Sequence, residues 1–166
     1  MTTTEHPAVA RFRAELERVE ARPVAGDRIV VLPDSVHTAK LAAEALGCEV
    51  GAIANSLLFA ERTPDGHQPV LILVSGAHRV DTAKVAAEQG LGELDRAKPD
   101  FVREHTGQVI GGVSPIAHPE PVRTFLDPTL RRYDVVWAAA GHPAAVFSST
   151  YDELLAMTGA TEIEVN

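Results

Sequence analysis

The sequence predicts an α+β domain built around a mixed, strongly curved β-sheet, and three observations carry that expectation. Segments with strand character outnumber helical ones, and the helices are short and irregularly interspersed rather than alternating with strands in a βαβ array. The stretch Val70 to Ser75 (VLILVS) is apolar at every position but the last. A strand with one buried face would alternate, so this one belongs in the middle of a sheet covered on both sides. At 166 residues the chain is long enough for one domain with a full core and short for two of ordinary size. With no internal repeat, low-complexity tract or linker-like run, residues 1–166 read as a single domain.

The elements follow in order. Val9, Phe12, Leu16 and Val19 recur at helical spacing and predict an amphipathic helix over about residues 7–21, closed by Arg22-Pro23. Its other face carries Arg11, Arg13, Glu15, Glu17 and Arg18; acids interleave with arginines, so it reads as a solvated face. Arg28 to Leu32 is a short strand. Ser35 is the expected N-cap of the next helix, with Leu41, Ala42, Ala45 and Leu46 as its buried stripe and Gly47 as its stop. A strand from Asn55 to Glu61 turns at Thr63-Pro64-Asp65-Gly66 into the central strand, making a hairpin. Asp81 caps a helix through Val85, Ala86 and Ala87 to Gly90, and Pro99 opens another that ends at Gly107. Strands are then expected at Gln108 to Val113, Val122 to Leu126, Tyr133 to Ala139 and Ala144 to Ser148. A helix from Tyr151 to Met157 stops at Gly159 and leads into a terminal strand, Glu162 to Val165.

Composition narrows the function classes. Apolar residues at 45% and charged residues at 23% are the balance of a globular protein, not a disordered one. No apolar run approaches the roughly 20 residues that cross a bilayer, so no membrane partner is expected. The polar N-terminus lacks a secretion signal's apolar stretch, and the single cysteine, Cys48, excludes an intramolecular disulfide and a Cys-rich zinc site. Together these predict a cytoplasmic protein. A net charge of −8 argues against a broad phosphate-tracking surface, so DNA is not an expected partner. It leaves room for a local grip on one end of a nucleic acid. Among the cations only Lys40, Lys84 and Lys98 are lysines.

Three segments can carry chemistry. Gly111-Gly112-Val113-Ser114-Pro115 places two adjacent glycines at the end of an apolar stretch, which costs stability unless the backbone turns sharply or something approaches closely. Two readings stand: bare N–H groups holding a carbonyl oxygen or phosphate in a loop stiffened by Pro115, or a bulge closing a curved sheet. Ala140-Gly141-His142-Pro143 connects two apolar strands, so His142 sits either at a cleft edge offering one hydrogen bond or in an exposed turn. In Ile53 to Phe59, alternation sends Asn55, Leu57 and Phe59 to one face and Ser56 and Leu58 to the other. Asn55 either projects into a pocket at the sheet end or bonds its own backbone.

Other signatures are absent. His37, His78, His118 and His142 have no metal-ligand spacing, so no metal is expected. GGVSPI lacks the second glycine of a nucleophile elbow, and neither a Walker A nor a dinucleotide fingerprint occurs, so no cofactor is expected. Cys48, beside Leu46 and Val50, reads as a buried spacer.

From about His37 to Gly159 the chain resembles the YbaK/prolyl-tRNA synthetase-associated (INS-like) aminoacyl-tRNA editing domain family. The resemblance rests on LGCEVGAIANSLLF (Leu46 to Phe59), VLILVSGAHRVD (Val70 to Asp81), GGVSP (Gly111 to Pro115) and VVWAAAGHPAAVF (Val135 to Phe147), in that order and spacing. It implies a barrel-like mixed sheet surrounded by short helices. It also implies a trans-acting deacylase that hydrolyses the ester of mischarged tRNA, without a metal, because one synthetic pocket discriminates poorly between similar amino acids. By the same resemblance Gly111 and Gly112 hold the ester carbonyl and developing oxyanion and Asn55 orients the terminal ribose, phosphate or water. Val113, Ser114, Pro115, Gly141 and His142 border the substrate. The implied partners are the 3′ acceptor end of aminoacyl-tRNA and an aminoacyl-tRNA synthetase. The chain departs from the family at one position: the lysine just before the S-L-x-F segment is Asn55 here, which supplies no cation. That departure gives the alternative expectation, a catalytically weak or inactive module that binds aminoacyl-tRNA or a synthetase.

Overall fold

The computed structural model describes residues 5–19, 28–33 and 38–166. Its first half contains α1 (Pro7–Val19), β1 (Ile29–Val31), α2 (Ala39–Leu46), β2 (Ile53–Thr63), β3 (Gly66–Ser75) and α3 (Thr82–Gln89). The second half contains β4 (Leu94–Arg96), α4 (Pro99–Thr106), β5 (Arg123–Leu126), β6 (Val136–His142), β7 (Ala145–Ser149), α5 (Tyr151–Thr158) and β8 (Thr161–Glu162). The fold is mixed α+β, with one sheet in the order β1-β7-β6-β2-β3-β5-β8 and β4 added to β2. Pairings β2/β6, β3/β5 and β5/β8 are parallel and the others antiparallel. The path runs from β1 to β8 without those two pairing, so the barrel-like sheet implied by the resemblance is an open one.

The β2–β3 hairpin is the spine of the sheet, in register from Ala54↔Ser75 to Thr63↔Gly66 around Pro64-Asp65. The central placement of VLILVS holds because both of its faces are covered. Leu71 and Leu73 pack into a core with Phe12, Leu126 and Phe147, and Val70, Ile72 and Val74 pack into a second with Val85, Leu94 and Phe125. Helix α1 lies over the first core: Phe12 is fully buried, its ring centroid 4.7 Å from that of Phe147. The amphipathic stripe read from Val9, Phe12 and Leu16 is therefore its buried face.

Several local expectations are corrected. Helix α2 starts at Ala39, where the Thr38 hydroxyl accepts the Leu41 N–H; Ser35, the expected cap, lies outside the described residues, as do residues 20–27. Ala42 and Ala43 are its buried residues, while Leu41 and Ala45 are exposed. These small side chains pack with Leu32, Ile53 and Val146, which lets the short helix lie close to the sheet. Gln108 to Val113 forms no strand. Its main chain turns at Gly111 (φ +86°), and the Gly112 N–H donates to the Val109 carbonyl at 3.0 Å. Strand β6 starts three residues later than expected and continues through Gly141-His142, because a bulge between Ala139 and His142 absorbs the irregularity that had marked a loop. Strand β8 is only two residues long. Strand β4 was not anticipated, since a three-residue strand shows no periodicity.

Candidate functional site

The site begins with a gap in the sheet. Strand β2 pairs with β6 only at Ile53 and Ala54 and with β4 only from Phe59 to Glu61, so Asn55 to Leu58 has no strand on that side. The main chain says which groups the gap exposes. The Arg62 N–H donates to the Glu93 carbonyl on the β4 side, and the Ile53 carbonyl accepts the Gly76 N–H on the β3 side. Alternation by two then turns the N–H and C=O of Ser56 and Leu58 outward through the gap.

Two cavities meet there, sharing Asn55, Ser56, Ile110 and Gly111. The first, about 580 Å³, extends past Leu57 and Phe59 to Thr82 and Arg96, with Val102 and Val113 among its apolar walls. The second, about 440 Å³, extends over Ile53 and Trp137 to Ala39 and Pro143. Among the described residues that line them, Arg96 is the one charged side chain, and it is exposed.

The wall opposite β2 is the turn Val109–Val113, held from behind by a buried polar network. The Gln108 side chain grips Ser114 at both ends: Oε1 accepts the Ser114 N–H and Nε2 donates to Ser114 Oγ, each at 2.8 Å. Gln108 is 3% exposed and Ser114 is fully buried. Ser114 Oγ donates to the Ile116 carbonyl, and the Thr106 hydroxyl receives the Gln108 N–H. His118 Nε2 lies 2.8 Å from the Ser114 carbonyl, which can only accept, so the ring carries its proton there. Burial lowers the pKa of His118 and outweighs that hydrogen bond, which acts the other way.

Glycine is required twice in this wall, for different reasons. Gly111 has left-handed φ. At Gly112 the reason is space, because a Cβ would stand 2.6 Å from both the His142 carbonyl carbon and the Pro143 nitrogen. The turn is thus seated on the β6–β7 connection. The Gly112 N–H is used by Val109, while the N–H groups of Gly111 and Val113 have no partner among the described residues.

Of the residues singled out in the sequence, Asn55, Gly111 and Val113 line a cavity together. Gly112, Ser114 and Pro115 are buried behind the turn. Gly141 and His142 line neither cavity: Gly141 (φ +100°) faces α1, where a Cβ would meet the Ala8 carbonyl oxygen at 2.8 Å. His142 Nδ1 accepts the Ala144 N–H, and its ring stacks at a tilt on His6 with centroids 4.8 Å apart. His78 is bonded to Asp127 at another place in the fold, and His37 lies outside the described residues. Cys48 is partly buried against α2 and Val50, which raises its pKa. Sequence reasoning passed over Gln108, Ile110 and Arg96, and it placed Ser56 on a face without assigning it a role. The available signal was the glutamine six residues before a buried serine. Ser56 Oγ is buried without a hydrogen-bond partner in the shared part of the site.

An open cleft walled by main-chain donors and apolar side chains is the candidate site, and comparison places the chain in a family. Residues 33–157 match the aminoacyl-tRNA editing domain family, and the chain belongs to it. It is 34% identical over 120 residues to the uncharacterized protein YwhH of Bacillus subtilis (strain 168), covering 72% of this chain and 74% of that one. It is also 33% identical over 96 residues to proline–tRNA ligase of Limosilactobacillus fermentum, covering 57% of this chain and 17% of the ligase, so it matches only a small part of that enzyme's length. Among solved structures it resembles one described as a "putative trans-editing enzyme for prolyl tRNA synthetase", with TM-score 0.86 and 42% identity over 98% of this chain and 99% of the other. Hypothetical protein APE2540 shares the fold at TM-score 0.73 and 25% identity over 83% of this chain and 89% of its own.

Proposed function

We propose that the protein is an aminoacyl-tRNA deacylase acting in trans, which hydrolyses the ester between a wrong amino acid and the 3′-terminal ribose of a tRNA. The observation that carries this reading is the pair of unpartnered N–H groups, Gly111 and Val113, on a rigidly backed turn beside an open cleft. When water adds to the ester carbonyl, negative charge develops on its oxygen. Main-chain donors held in place stabilise that charge without reorganising. The intermediate collapses by breaking the bond to the ribose oxygen, which takes a proton and leaves as the hydroxyl. Gly111 and Val113 supply the donors in this reading; Gly112, whose N–H is already engaged, shapes the turn. Asn55, at the junction of both cavities, orients the ribose or the attacking water. The outward main-chain groups of Ser56 and Leu58 offer further hydrogen bonds to the acyl moiety.

Incubation with a panel of mischarged tRNAs tests the reading: amino acid is released faster than from buffer for at least one member. Release at the uncatalysed rate from all of them would remove the enzymatic claim. Asn55, in place of the family lysine, supports a second reading in which the protein binds aminoacyl-tRNA or a synthetase with little turnover. Cytoplasmic placement accompanies either reading.

A further inference from the structure

We infer that Arg96 is a phosphate anchor for the RNA end, supplying from β4 the positive charge that Asn55 does not; this rests on the proposal that the cleft receives a tRNA 3′ terminus. The first support is electrostatic. The protein is acidic overall, at −8, and its two joined cavities contain a single charged side chain among the described residues. An RNA end brings a phosphate for every nucleotide, and among the described residues lining this cleft Arg96 alone can meet one with charge-assisted hydrogen bonds.

The second support is geometric. Arg96 stands opposite Phe59 in the β2/β4 register. Cross-strand partners share a face and alternation repeats every two residues, so Arg96 projects on the same face as Phe59, Leu57 and Asn55. Four residues of strand separate Asn55 from Phe59, about 13 Å at the usual rise. The cleft therefore has the reacting end at Asn55 and Gly111 and a cation farther along the same wall. That is the layout needed when the ester lies at the end of a chain and the phosphates trail behind it.

The third support is availability. Arg62, on the neighbouring strand, is committed to Asp95 and Glu93, and Arg28 to Glu153. Arg96 has no hydrogen bond or ion pair with the described residues. Asp95 and Glu93, the acids beside it in sequence, are occupied by Arg62, which reduces their competition for the guanidinium. The Thr82 hydroxyl on the same cavity wall adds an uncharged donor.

The test uses an uncharged RNA oligonucleotide ending in CCA-3′, titrated into the full chain at several salt concentrations. Arg96→Gln is expected to weaken binding about ten- to hundredfold at low salt. The log–log salt dependence should become shallower by about 0.7, one phosphate contact on a single strand. Arg96→Lys should restore much of the affinity. The side chain is exposed, so the variants should keep the wild-type urea midpoint. Hydrolysis of aminoacyl-adenosine, which has no phosphate, should fall less in Arg96→Gln than hydrolysis of the corresponding aminoacyl-tRNA does. Unchanged affinity and salt slope in Arg96→Gln, or no binding of the oligonucleotide by the wild type, would overturn the inference. So would a change in which amino acid is released without a change in RNA affinity, since Arg96 would then read the acyl group. If the RNA result holds while no mischarged tRNA is hydrolysed, the deacylase proposal fails and the anchor stands.

Discussion

Replacing Gln108 separates what holds the candidate site from what merely fills space behind it. Both ends of its amide are bonded to Ser114 at 2.8 Å, and neither residue has access to water that could take over. Gln108→Met keeps nearly the same volume and strands the Ser114 N–H, at a cost of about 1–3 kcal/mol for an unsatisfied buried donor. Gln108→Ala strands the same group and also removes buried side-chain volume. At ~0.8 kcal/mol per methylene equivalent, its total is about 2–4 kcal/mol. In a chain of this size each kcal/mol lowers Tm by roughly 2–4 °C. The assay is urea unfolding at pH 7.5, reading the midpoint at unchanged slope. Activity should fall further than stability. A misplacement of about 1 Å costs on the order of a hundredfold in rate, and Gln108 sets the position of the turn bearing the Gly111 and Val113 donors. A Met variant with the wild-type midpoint and full deacylation would show that the clamp neither stabilises the protein nor positions the turn.

Gly112→Ala should cost about 1–3 kcal/mol in urea unfolding, because its Cβ would stand 2.6 Å from the His142–Pro143 backbone. Gly111→Ala makes only ordinary van der Waals contact, 3.9 Å from Pro143, and should cost about 1–2 kcal/mol through its left-handed φ alone, with little dependence on residue 143. Asn55→Lys should increase deacylation if the native protein turns over slowly; abolition of a robust native activity by Asn55→Ala would remove the binding-module reading. For His118, burial places the folded pKa below the ordinary 6.5, so the unfolded chain binds more protons as pH falls below that value. Its contribution to stability is present above pH 6.5 and is lost as pH falls through the folded pKa. Unfolding free energies at steps from pH 7.5 to 5 should decline less steeply in His118→Gln, and an unchanged slope would refute the assignment.

The parts of the fold that sequence reasoning found are those with local or periodic signatures. VLILVS declared its own burial on both faces, Pro64-Asp65 its turn, and Asp81, Gly90, Pro99 and Gly107 their helix ends, and all hold. The stretch Gln108 to Val113 misled because Val109 and Ile110 are apolar yet exposed, and Ile110 lines the cleft and not the core. For the site, the oddity of paired glycines pointed to the turn that lines the cleft, but which amide is free depends on a bond between Gly112 and Val109 that no spacing rule specifies. His142 read as a rim residue because it follows a glycine near a strand end; the structure turns its ring toward His6. Arg96 was out of reach, since β4 is too short to show a pattern.

Helix α1 falls outside the matched region, residues 33–157, yet it plugs the sheet like a stopper. Ile163 and Val165, beyond the other boundary, are buried as well. A fragment trimmed to the shared region would bare the greasy underside of β6 and β7 and shed one end of the second core. The folded unit here is therefore larger than the part that the family model outlines.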